Sequence, residues 1–172
     1  MSDFELTDER LQKKRDIVKR EIDNCAKYTT DRTYFYGNLT DKAFFAAKQN
    51  YAGKVNREMV LGMIDNTITG NAKNGLLFAV DGIYYKRLME SPGYISYSDA
   101  AQNNRLLSAK LGEDFNIRCI SKIVNEIDAV DNLTLNEVLE KANEKVMDLD
   151  KTIDSVNEVL STAQGLFNKW FK

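Results

Sequence analysis

The side chains able to do chemistry are few, and one residue type is missing. The chain has 172 residues, 29% of them charged, and no histidine. Histidine is the commonest general base near neutral pH and the commonest metal ligand, so His-activated nucleophiles and His-based metal centres are excluded from the outset. In the middle of the chain, Asp65, Asp81 and Asp99 are the carboxylates to weigh for acid–base work. Asp81 belongs to an Asp-Gly turn. Asp65, in Met-Ile-Asp-Asn-Thr, suits capping or bracing the loop that follows. Asp99 suits the start of a short turn. Each has a structural use, so no catalytic residue is assigned.

Cys25 and Cys119 stand 94 residues apart with no Cys-x-x-Cys, which leaves a zinc site or a thioredoxin-type redox motif unsupported. They are read as a disulfide or as two buried thiols in a reducing cytosol, and the second reading is favoured. Gly70-Asn-Ala-Lys-Asn-Gly75 has phosphate-loop spacing, but Leu76 and Leu77 follow where Lys and Ser/Thr are required, so it reads as a plain loop. Lys13, Lys14, Arg15, Lys19 and Arg20 form a basic run interrupted by Asp16, Glu21 and Asp23. With a pI of about 5.3, this argues for a solvated helix face and against nucleic-acid binding. Tyr84, Tyr85, Tyr94 and Tyr97 are read as sheet residues, with a stacking platform as the alternative. No cofactor, metal or small-molecule substrate is implied.

These residues must be positioned by three kinds of segment. Leu11, Val18, Ile22 and Cys25 recur at helical spacing and predict an amphipathic helix over about 8–28, capped by Thr7. Thr29–Asn38 reads as a polar and aromatic connection. A second helix is expected from Asp41 to about Ala52, capped by Thr40, burying Phe44, Phe45 and Ala47. Residues 55–63 fit either a strand or a helix, and helix is favoured.

Asp81-Gly82 between two apolar runs predicts a type I′ hairpin. In that register Val80 faces Ile83 and Phe78 faces Tyr85, all four in the core, while Leu77, Ala79, Tyr84 and Lys86 lie on a half-exposed face. Ser91-Pro92-Gly93 predicts a type II turn. Tyr94–Ser98, Leu106–Leu111 and Phe115–Ser121 complete an expected antiparallel meander of five to six strands.

From Leu135 to Trp170, apolar residues alternate at spacings of four and three, through Leu139, Ala142, Val146, Leu149, Ile153, Val156, Leu160, Ala163 and Phe167. Thr134 and Glu137 form a capping-box pattern at its start. A helix of this length would span about 54 Å, so it either bends near 148–151 or pairs with a partner helix. Residues 10–58 carry 12 Lys/Arg against 6 Asp/Glu, and residues 121–158 carry 4 against 10. The two stretches are expected to pack on each other, although a basic half facing an acidic partner gives the same pattern.

The stretch Asp65–Ala100, with its Asp-Gly hairpin, Ile-Tyr-Tyr-Lys and Tyr-Ile-Ser-Tyr-Ser-Asp, resembles the strand–turn–strand core of bacterial pleckstrin-homology-like (GRAM-like) modules. The resemblance implies a curved antiparallel sheet closed by a C-terminal helix near Thr134, and binding of proteins or lipid headgroups without catalysis. The helical N-terminal third and the long final helix depart from that pattern. Lys73, Lys86 and Arg87 are the basic residues nearest the strand loops.

The expected architecture is therefore α+β. Residues 1–52 form an N-terminal helical region, 55–148 a PH-like sheet with the start of a closing helix, and 149–172 a helical extension. The expected function is a non-enzymatic intracellular interaction module, cytoplasmic, with a protein partner or a second copy. The residues assigned to interaction are Leu149, Ile153, Val156, Leu160, Phe167, Trp170, Phe171, Tyr84 and Lys86. The alternative is a membrane surface met by Leu166, Phe167, Trp170 and Phe171, with Lys169 and Lys172 near anionic lipid. A carboxylate-dependent enzyme is the least favoured. No signal peptide is expected, because the first fifteen residues lack an apolar core. If the heptad seam associates chains, light scattering will give a dimer for the full chain and a monomer for one ending near Asp148. Two compact monomers would remove the seam from the mechanism.

Overall fold

The computed structural model describes residues 3–132 and, beyond them, 140, 143, 147, 153, 156, 157 and 161. The chain divides into two compact units, Met1–Val130 and Asp131–Lys172. In the first unit the elements run α1 (Asp3–Glu21), β1 (Arg32–Phe35), α2 (Asp41–Asn50), β2 (Val60–Asp65), β3 (Gly75–Ala79), β4 (Gly82–Lys86), β5 (Gly93–Ser96), α3 (Tyr97–Gln102) and α4 (Asn104–Leu111). A further helix, α5, starts at residue 117 and is described as far as residue 132.

The protein is α+β, and its sheet is a five-stranded antiparallel meander in the order β1-β2-β3-β4-β5. Two strands differ from those expected. Thr29–Asn38 contains β1, and residues 55–63 form a 3₁₀ turn over Arg57–Met59 that leads directly into β2. Val60–Asp65 is buried at every position, so its apolar run lacks the alternation that marks a half-buried strand.

Leu106–Leu111 and Phe115–Ser121, expected as strands, are helical. Asn103 caps α4 by accepting from Arg105 N–H at 3.1 Å, and Gly112 ends it with φ +60°. Phe115, Ile117 and Cys119 suggest period two. However, Cys119, Ile120, Ile123, Val124 and Ile127 continue at helical spacing, and they bury one face of α5.

Side chains leave the sheet into two cores. One face carries Ile64, Leu76, Phe78, Ile83, Tyr85 and Ile95 against α1, α4 and α5. The other carries Val60, Met63, Leu77 and Ala79 against Ala43, Phe44 and Ala47 of α2 and the following Tyr51 and Ala52. Leu77 and Ala79 are thus fully buried and not half exposed. Phe78 alone is worth about 2–3 kcal/mol of burial. A bulge between Val60 and Gly62 lets Leu61 enter the first core while Met63 enters the second. Gly62 lies beneath α1: a Cβ there would stand 2.5 Å from Val18 Cγ1 and 2.7 Å from Ile22 Cδ1.

The central hairpin also differs from expectation by one position. Phe78 pairs with Ile83 and Leu76 with Tyr85, so the turn residues are Val80 and Asp81. Neither has positive φ, which rules out type I′. Val80 leaves the ladder and is only partly buried. Its N–H instead donates to Met59 O at 2.9 Å. The next turn lies at 87–90, where Glu90 N–H donates to Arg87 O at 3.2 Å and Met89 has φ +61°. Pro92 only leads into β5.

Among the helices, Thr40 caps α2 as expected, accepting from Ala43 N–H at 3.2 Å, and Phe44 and Ala47 are buried. Phe45 is not: it is 57% exposed. Thr7 lies inside α1, which starts at Asp3, and a 3₁₀ turn over Ile22–Cys25 follows the helix.

That turn carries the largest correction. Cys25 and Cys119 are not free thiols; they form a disulfide with Cα atoms 5.2 Å apart. The bond joins the 3₁₀ turn after α1 to α5 in the first core. Beside it, Glu21 accepts from Arg20 Nε at 2.9 Å and from Lys122 Nζ at 2.7 Å, and Arg20 also pairs with Glu126. Lys122, and behind it Arg20, hold the Glu21 carboxyl below its ordinary value. The expected basic-on-acidic packing is present in Arg20–Glu126 and reversed in Glu21–Lys122.

In the second unit the described positions are helical. Ile153 and Val156 are 56% and 52% exposed. Leu149, Leu160, Phe167, Trp170 and Phe171 lie outside the described residues.

No helix among the described residues is long and apolar enough to cross a membrane. Closing 94 residues of chain, the disulfide should contribute about 2–4 kcal/mol. Urea melts of the Cys25→Ala/Cys119→Ala variant, and of the native chain in dithiothreitol, should show this loss. A midpoint indifferent to reductant would show that the bridge does not form.

Candidate functional site

α2 packs over β2 and β3 and leaves the β4–β5 end of the same face open. Tyr84 and Tyr94 pave that end. They are cross-strand partners, and their ring centroids are 4.9 Å apart at a 53° tilt. Both hydroxyls donate to Asp81, Tyr84 to its carboxylate at 2.8 Å and Tyr94 to its backbone carbonyl at 2.7 Å. The hairpin turn therefore locks the two rings in place, and this accounts for Asp81 without chemistry.

The rings form one side of an open groove of about 600 Å³. Tyr51, Gly53 and Lys54 after α2 line the rest of it with Asp81, Pro92 and Gly93. Of the four tyrosines considered from sequence, Tyr85 and Tyr97 point into the core instead. Tyr97 O–H donates to Ala79 O at 2.7 Å. The stacking platform is thus a pair and not a quartet. Lys86 Nζ is held by Asn74 Oδ1 at 3.1 Å, outside the groove lining.

Burial first, and then the hydrogen bond to Asp81, push the Tyr84 phenol up to about 12. Burial, with Asp81 and Asp99 nearby, raises Tyr94 as well. Tyr51 is almost wholly buried, and its titration is displaced upward by burial and by Asp65.

A second cavity, of about 850 Å³, opens at the end of the sheet where β2 meets β3. Its walls include Asn66, Thr67, Asn71 and Asn74, with Tyr28, Ile68 and Leu88 exposed at its edge. The Gly70–Gly75 loop is not a phosphate cradle. Fully buried Asp65 organises it, accepting from Thr67 N–H at 2.9 Å, from the Thr67 hydroxyl, and from Ala72 N–H at 3.2 Å. Ala72 takes φ +54° there. Asp65 thus braces the loop as its sequence context suggested. Asp99 bonds the Ser96 hydroxyl at 2.7 Å at the start of α3. The three carboxylates occupy separate elements, each with its own structural partners.

The sequence pointed to Tyr84 but not to its wall. Nothing in the sequence marked Tyr51 and Lys54 as groove residues, because the chain reaches them through the packing of α2. Comparisons with protein-family models, curated proteins and solved structures give no match.

Because the Tyr84 phenol is displaced above its ordinary 10.0, its contribution to stability is complete below pH 10 and is lost as pH rises towards about 12. Absorbance at 295 nm should show a tyrosine ionising near pH 12 that moves down in Asp81→Asn. An unchanged titration would show that Asp81 does not act on Tyr84.

Proposed function

We propose that the protein is a non-enzymatic protein-interaction module that receives its partner in the Tyr84–Tyr94 groove. The observation that carries this reading is the aromatic pair of half-buried Tyr84 and exposed Tyr94, oriented by Asp81 at the end of a sheet face otherwise covered by α2. Tyr94 is 48% exposed. Rigid aromatic side chains of this kind supply contact area at low entropic cost and are enriched at interfaces. The likeness of Asp65–Ala100 to PH-like modules, which bind proteins or lipid headgroups, agrees with this reading.

Self-association through the heptad seam is the second part of the proposal. It is favoured by Ile153 and Val156, two helical seam positions that remain more than half exposed. Membrane contact through Phe167, Trp170 and Phe171 concerns residues outside those described and gains no support.

A photo-crosslinking amino acid at Lys54, on the groove wall, should trap a partner polypeptide in the native cell. One at Lys110, on α4, should not, and Tyr84→Ala should abolish the Lys54 adduct. An adduct indifferent to Tyr84→Ala, or none at Lys54, would place the function elsewhere.

A further inference from the structure

An open sheet has two edges, and each presents backbone donors and acceptors that need partners. This sheet treats its edges differently. On β1, Phe35 N–H donates to Asn38 Oδ1 at 2.7 Å. Phe35 O accepts from the N–H groups of Asn38 and Leu39 at 3.1 and 3.0 Å. The chain thus folds over its own β1 edge at Phe35 and occupies two of the groups that a further strand would use.

β5 has no such cover. Its residues pair with β4, and Ser96 O opens α3, but among the described residues no other backbone hydrogen bond reaches Gly93–Ser96. The direction of its free groups follows from one contact. Ile95 O lies 2.5 Å from the point where a Cβ on Gly82 would stand, so Ile95 turns its polar groups towards β4. Alternation along the strand then turns the N–H and C=O of Tyr94, and the N–H of Ser96, outward. Tyr84 and Tyr94 are then a closely spaced pair without mutual hydrogen bonds, which agrees with their close rings.

Resting on the groove reading above, we infer that the β5 edge binds an extended peptide of a partner protein as a sixth antiparallel strand. One peptide residue exchanges both backbone hydrogen bonds with Tyr94, and another accepts from Ser96 N–H. The side chain opposite Tyr94 projects on the Tyr84–Tyr94 face, above the groove that Tyr51 and Lys54 help to line. A β-branched or aromatic side chain suits that position, because cross-strand pairs of this type with an aromatic ring are stabilising. Main-chain bonds supply affinity and the groove supplies selectivity. A second copy of β5 is a poorer occupant. Pro92 and the turn into α3 bound a four-residue edge, which falls short of the area a stable dimer needs.

The test uses the full chain, ¹⁵N-labelled, with peptides selected from a random dodecapeptide display library and then synthesised. Selected peptides should share a β-branched or aromatic residue and should slow hydrogen exchange at the Tyr94 and Ser96 amides. Tyr94→Ala, which keeps the N–H, should weaken binding on the order of tenfold. Tyr94→Pro, which also removes the donor, should weaken it on the order of tenfold more. Proline is compatible with an edge strand whose N–H faces solvent. Should Tyr94→Pro lose the native circular dichroism spectrum, the exchange data decide alone.

A library that yields no binder overturns the inference, as do binders that leave both amides unprotected. If such binders still depend on Tyr84, the groove reading survives and only strand addition fails. A dimer abolished by Tyr94→Ala would make a second copy the occupant and overturn the peptide.

Discussion

The constraint on which the structure depends is the burial of β2 and β3 on both faces. Every position of these two strands is shielded from water, so each alternate side chain needs a core of its own. Helices must therefore cover the sheet on both sides. α1, α4 and α5 supply one cover and α2 the other. The Val60–Gly62 bulge shares the apolar residues of β2 between the two cores, and Gly62 lets α1 approach the strand closely. The α2 cover is short, ten residues in α2 itself, and the β4–β5 end lies beyond it. The aromatic groove results directly from that difference in coverage.

The other local features serve this frame. The Cys25–Cys119 bond ties the 3₁₀ turn after α1 to α5 across the first core, and the Glu21 ion pairs lie beside it. Polar chain ends and turns are satisfied by nearby side chains: Thr40 and Asn103 at helix starts, Asp65 inside its loop, and Asn38 at the β1 edge. The β5 edge stands out against this background because it lacks such cover among the described residues. It also adjoins the most exposed aromatic surface of the sheet.

Much of this was legible in the residues. The β3–β4 hairpin, α2 with its Thr40 cap, the bracing role of Asp65 and the α+β class follow from local patterns whose physical causes are also local. Residues 60–65 show no alternation because both faces are buried. Phe115–Cys119 alternates only until Ile120, Ile123 and Val124 restore the helical period. Asp81-Gly82 is a strong type I′ signal, yet Val80 N–H is drawn to Met59 O, and the turn moves back by one residue. In β2 and in the hairpin turn, contacts with distant segments outweighed the short-range preference; in α5 a longer helical period outweighed a short alternation.

The site divides in the same way. Sequence alone determined that Tyr84 and Tyr94 lie on strands near an Asp-Gly turn, and that the chain contains no histidine to act as a base. The tertiary structure decided that these two tyrosines meet, that Tyr85 and Tyr97 turn inward, that Tyr51 and Lys54 complete a groove, and that the cysteines are joined. Local propensity acts over a few residues. The pairing of Cys25 with Cys119, or the placing of Tyr51 and Lys54 in one groove with Tyr94, depends on which surfaces a double-sided sheet must bury.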